Sequence, residues 1–133
     1  MFTMRETIHC VYRTTDYLML HARGEGQVAI MNSALNVQRT VFVDPTEIID
    51  AIKLAVVTEG HSGNIPCKKD SDTYYIRVGR QNGNEPTDPR NTRIEIYGGG
   101  DVAIIILDET KTAELIRHLS NIRGYYEEMA VKQ

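Results

Sequence analysis

Cysteine is scarce in this chain: Cys10 and Cys67 are the only two. They lie far apart, one in an alternating apolar segment and one in a polar stretch. That pattern excludes a disulfide framework and points to reduced thiols. Long apolar runs are missing too. None approaches the ~20 residues that a membrane-spanning helix needs, and the opening MFTMRETIHC has no signal-peptide core. A cytoplasmic location is the expectation from both. Positive charge is also short: 15 Lys and Arg stand against 18 Asp and Glu, a net charge of −3. That balance argues against indiscriminate binding to polyanions.

Catalytic and metal motifs are equally thin. His9, His21, His61 and His118 fall in no C-x-x-C, H-E-x-x-H or H-x-H spacing, so no metal site and no cofactor are expected. His61 and Cys67 share one stretch, which reads as a surface histidine and a loop cysteine. Cys10 sits mid-strand among apolar neighbours, where a thiol is inert packing. No G-x-S-x-G occurs. Glu127-Glu128 and Asp108-Glu109 read as solvated faces and helix-dipole partners. Only Glu95 and Asp101 come near the inward-facing strand acids that a glycosidase or nuclease needs. Gly24-x-Gly26 and Gly98-Gly99-Gly100 feed strands rather than helices, so they are hairpin turns and not phosphate loops. The chain is expected to be non-enzymatic.

What the chain does contain is one motif used twice. RTVFVDPTEIIDAIKLAVV and IIILDETKTAELIRHL each run an apolar strand through an Asp into an amphipathic helix, and the two Asp lie 108 − 44 = 64 positions apart. At that offset Thr46 matches Thr110, Asp50 matches Glu114, Ile52 matches Ile116 and Lys53 matches Arg117. Asp44-Pro45-Thr46-Glu47 is a strong helix start, with Asp as cap, Pro at the first helical position and Glu able to reach back to the cap. The first helix, 44–59, should bury Ile48, Ile49, Ile52 and Val56, widened by Leu54, Ala55 and Val57, and end at Gly60. The second should bury Ala113, Leu115, Ile116, Leu119 and Ile122. Gly124 should break or bend it, leaving a tail, 125–133, with Tyr125, Tyr126 and Met129 available for docking.

Period-two alternation predicts strands over 8–13, 16–23, 27–32 and 37–43, then 73–80 and 92–97, and the unbroken apolar run 102–107 reads as a further strand. Residues 61–72 and 81–91 read as polar loops, the first dividing the two halves. The order is thus four strands and a helix, then three strands and a helix. It predicts an α+β fold: antiparallel sheet with two helices packed on one face, a pseudo-repeat of a three-or-four-strand-plus-helix unit over about 5–60 and 73–123, within one domain spanning 1–133. The apolar run 102–107 has no polar face, which predicts burial on both sides or a subunit interface. With the apolar tail, it points to a homodimer.

The strand face away from the helices carries the candidate binding residues. Tyr75, Arg77, Arg93 and Tyr97 alternate in the second half, and Tyr17 and Arg23 are their counterparts in the first. Tyrosine offers a flat π-face to a base, and the arginine fork meets phosphate bidentately. Glu95 lies on the same face and opposes that field.

The order of elements, with the paired units VFVDPTEIIDAI and IIILDETKTAEL, resembles that of the PUR-repeat, whirly and positive cofactor four-like single-strand-binding proteins. The resemblance covers about residues 5–123. It implies sheets backed by helices, with an open strand face for single-stranded nucleic acid. The expected partner is therefore single-stranded nucleic acid or a nucleotide. The alternatives are a small acidic interaction or inhibitor protein of mobile-element type, whose acidic helix faces (Asp44, Glu47, Asp50; Glu109, Glu114) meet a basic protein partner, and an oligomer that sequesters a nucleotide.

Overall fold

The computed structural model describes residues 5–10, 15–24, 26–34, 37–58, 64–68, 74–81 and 91–132. The first sheet runs β1 (Arg5–His9), β2 (Tyr17–Gly24), β3 (Gln27–Ala34) and β4 (Val37–Val43), and helix α1 (Pro45–Thr58) follows. The second runs β5 (Ile65–Pro66), β6 (Tyr75–Gln81), β7 (Asn91–Gly98) and β8 (Asp101–Leu107), followed by α2 (Glu109–Lys132). Each sheet has four strands in sequence order, every neighbour antiparallel. The fold is α+β, as the sequence predicts.

Both helices start where an Asp caps them. Asp44 Oδ1 accepts from the Thr46 amide at 2.8 Å, and Asp108 Oδ1 from the Lys111 amide at 2.8 Å. Each bond satisfies one of the amides that a helix start leaves without a partner. The helices then cross over. Helix α1 packs on β6 of the second sheet, α2 reaches β1 and β2 of the first as well as β7 and β8, and the two helices touch. Strands β3 and β4 also lie against β8. The inner faces form one buried cluster with both helices, from Leu18, Leu20, Val28 and Ile30 to Ile76, Ile94, Ile96, Ile105 and Leu107.

The seams between the halves match. The Ile106 amide donates to Cys10 Sγ at 3.5 Å, and the Phe42 amide to Cys67 Sγ at 3.3 Å; 106 − 42 = 64. The two cysteines share their backbone setting as well. Cys10 N donates to Asp16 O, and Cys67 N to Tyr74 O, both at 3.0 Å, just before β2 and β6. A second pair repeats the offset, since 111 − 47 = 64: Glu47 on α1 meets Lys68 after β5, and Lys111 on α2 donates to the His9 carbonyl in β1. Asn32, fully buried on β3, joins the sheets directly. Its amide donates to the Ala103 carbonyl at 2.7 Å and the Ile94 carbonyl at 3.3 Å.

Several expectations need correction. The stretch read as a dividing loop contains β5, so the second half has four strands and not three. Two residues are too few to show a period, and β5 is held by register (Ile65 against Ile76) rather than by its own pattern. Cys67, expected as a loop cysteine, follows β5 and is buried. Gly124 neither ends nor breaks α2, because Tyr126 anchors the helix beyond it by donating to the Gln27 carbonyl at 2.7 Å. Ala113 is exposed, and Thr112 takes the inward place. The Thr112 hydroxyl lies 2.7 Å from the Asp108 carbonyl and 2.9 Å from the Thr92 hydroxyl. The carbonyl can only accept, so Thr112 donates to it and Thr92 donates to Thr112. Leu54 points outward and is 51% exposed. Strand β8 is sealed fully on one side and partly on the other: Ala103, Ile105 and Leu107 fill the core, while on the other face Ile106 is buried and Val102 and Ile104 are half-buried. Gly60, the 82–90 part of the second loop and the side chains of Val56 and Val57 lie outside the described residues.

Candidate functional site

Antiparallel register sorts the outer face of the second sheet into rows. Tyr75 lies opposite Tyr97 and then Val102; Arg77 opposite Glu95 and then Ile104; Gly79 opposite Arg93 and then Ile106. Their inward neighbours Ile76, Val78, Ile94 and Ile96 are buried, and that burial fixes which residues face out.

Four of the six predicted site residues meet here. The Tyr75 and Tyr97 rings stack at 4.7 Å between centres and 12° between planes. The Arg77 guanidinium carbon lies 5.5 Å from the Tyr97 ring centre, and Arg77 Nη2 donates to the Tyr97 hydroxyl at 3.0 Å. Tyr17 is elsewhere, on the outer face of the first sheet, where its ring meets His9 edge-on at 6.1 Å. Arg23 also lies on β2, and its side chain falls outside the described residues. The single face expected from the sequence is therefore divided between two sheets.

The centre of the cluster is Glu95, expected from the sequence as a charge opposing the arginines and as a near-miss for a catalytic strand acid. It is 2% exposed. Arg77 Nε donates to its Oε1 at 3.0 Å, Arg93 Nε to its Oε2 at 3.2 Å, and the Tyr97 hydroxyl to Oε2 at 3.0 Å. Burial by itself raises the Glu95 pKa. The bonds from Arg77 and Tyr97 and the charges of Arg93 and Arg77 outweigh it and hold the carboxyl below its ordinary value. The same contact works on its partners. The bond to Glu95 raises Arg77, while burial and then Glu95 push the Tyr97 hydroxyl up. Alternation places Glu95 beside Arg93 and Tyr97 in the sequence. The signal missing from the sequence is the register that sets Arg77 directly across from it.

The patch keeps its two arginine side chains 34% and 32% exposed. It offers a ring surface and guanidinium groups, which suit a planar, anionic ligand. Among the described residues no group of three potential metal ligands occurs.

The equivalent face of the first sheet has a different chemistry. Met19, His21, Ala29, Met31, Thr40 and Phe42 line a shallow, largely apolar depression of about 260 Å³. A groove of about 440 Å³ lies between α1 and β5, with Glu47 and Asp50 on its rim and Ala51, Leu54, Ile65 and Pro66 along it.

No family model matches the chain, and no curated protein or solved structure matches it.

Proposed function

We propose that the chain is a non-enzymatic binding module that takes single-stranded nucleic acid or a nucleotide on the outer face of its second sheet. The supporting observation is one half-exposed patch that joins the stacked Tyr75–Tyr97 pair to Arg77 and Arg93. Rings accept bases whatever their identity, and arginines meet phosphate. The test is fluorescence anisotropy with short labelled oligothymidylate and with nucleotides over a salt series. Binding is expected at low salt and should weaken as salt rises. Arg77→Ala and Arg93→Ala should lower affinity and flatten the salt dependence, while Tyr75→Ala should lower affinity alone. No binding at low salt would remove the reading.

The proposal treats the two halves as copies of one unit, which two contacts support: in each, one partner recurs 64 positions on (Phe42 and Ile106, Glu47 and Lys111). It includes a cytoplasmic location, in keeping with two free thiols. No helix among the described residues is long and apolar enough to cross a membrane. It also includes a homodimer through strand β8 and the end of α2, to be checked by light scattering across a concentration series.

A second reading, a protein-interaction module, rests on Leu54. This large apolar side chain is 51% exposed beside the acidic rim of the α1–β5 groove. A stoichiometric partner lost on Leu54→Asp and kept on Arg77→Ala would favour it over the first.

A further inference from the structure

From the geometry of the cluster we infer that Glu95 is a built-in competitor for the ligand's phosphate. It occupies the arginines as an anion would and sets how much negative charge a ligand must bring. This rests on the nucleic-acid reading above and specifies how that site selects its ligand.

Both carboxylate oxygens are engaged, Oε1 by Arg77 and Oε2 by Arg93 and Tyr97. Each arginine reaches Glu95 through Nε, Arg77 Nη2 also donates to the Tyr97 hydroxyl at 3.0 Å, and the two side chains stay 34% and 32% exposed. A phosphate that approaches the exposed part of these side chains meets two positive groups already bonded to a fixed negative one. Glu95 cannot move aside readily, since it is 2% exposed and faces Ile104 across the next strand.

Two effects of the carboxylate oppose each other. It holds the arginines in place, which favours binding, and it repels the incoming anion, which disfavours it. The ordering benefit is bounded by the rotamer freedom of two side chains that are already one-third exposed. The repulsion is that of a full charge within a few ångströms, partly shielded from water, and it is the larger effect. A single weak anion is therefore refused. A ligand with several phosphates, or a nucleic-acid strand whose bases also stack on the tyrosines, overcomes the repulsion.

The experiment compares wild type with Glu95→Gln, which keeps the shape and removes the charge. Affinity for labelled oligothymidylate is measured over a salt series, with circular dichroism as the folding check. The variant is expected to bind about tenfold more tightly. Its plot of log affinity against log salt should be steeper by about 0.7, the value for one more neutralised phosphate on a single strand. If wild type binds and the variant binds equally or less well, Glu95 is a positioning residue and only this inference falls. If neither binds at low salt, the nucleic-acid reading falls with it. Should the variant not fold, side-chain NMR of wild type keeps the question open to refutation: the Nε–H signals of Arg77 and Arg93 are expected to shift on adding oligonucleotide. Signals that stay fixed while the oligonucleotide binds overturn the inference.

Discussion

Arg77 donates through Nε to Glu95 Oε1 at 3.0 Å, across two strands on which the residues lie directly opposite each other. The donors that surround Glu95 hold its carboxyl below the ordinary range in the folded protein. A depressed carboxyl adds stability above its unfolded pKa, about 4.3. That contribution fades as pH falls through the lower folded value. Urea titrations should show wild type losing stability below about pH 4, with a smaller loss in Glu95→Gln. Near neutral pH, Glu95→Ala should cost about 1–2 kcal/mol, discounted because both arginines reach solvent and can recover hydration.

Asn32 is the most demanding polar residue in the core. Its amide serves the Ile94 and Ala103 carbonyls, while Oδ1 is buried without a partner among the described residues. Replacement by Asp would set a carboxylate against two carbonyl oxygens. The expected loss is about 3 kcal/mol or more, against roughly 2 kcal/mol for Asn32→Ala. Denaturant midpoints for the two variants would check the order, and equal values would contradict it.

Two glycines should respond with opposite signs. A methyl group on Gly98 would run into the Tyr74 ring, whereas one on Gly124 meets open space on the surface of α2. Gly98→Ala is expected to destabilise by about 2 kcal/mol, with much of this recovered by a second change of Tyr74→Ala. Gly124→Ala is expected to stabilise by about 0.5–1 kcal/mol. Thermal melts of the three variants settle both.

The two thiols should behave as a pair. Cys10 and Cys67 are each below 5% exposed and each closes one seam. A thiol reagent should react with neither in the native protein and with both at similar rates once denaturant is added. Cys10→Ala and Cys67→Ala should each cost about 1–2 kcal/mol. Fast native-state labelling of one cysteine would show that its seam opens independently.

Much of the fold is legible in the sequence, because strong local chemistry specifies it. Asp44-Pro45 and Asp108 announce the helices, and alternation in β2, β6 and β7 assigns each side chain to a face. The residues that escape are those whose role is set by partners far along the chain. Strand β5 exists because Ile65 finds Ile76, and Cys67 is inside because β4 covers it. Tyr75, Arg77, Arg93 and Tyr97 share a patch because β6 and β7 are neighbours in this register. Tyr17 is separate because β2 belongs to the other sheet. Periodicity reports which face a residue is on, and says nothing of which sheet.

The crossing of the helices has a consequence for how the molecule comes apart. With α1 on β6 and α2 shared between β1 and β2 and its own β7 and β8, a chain severed after α1 would yield two fragments, the first carrying a helix suited to the other's sheet and the second a helix that bridges both sheets. Such fragments would re-form as a complementing pair. The peptide between them then acts as a tether that raises local concentration. Melting should register as one event whichever half carries the probe. At high concentration, intact chains could trade halves without making any contact that a single chain does not already make.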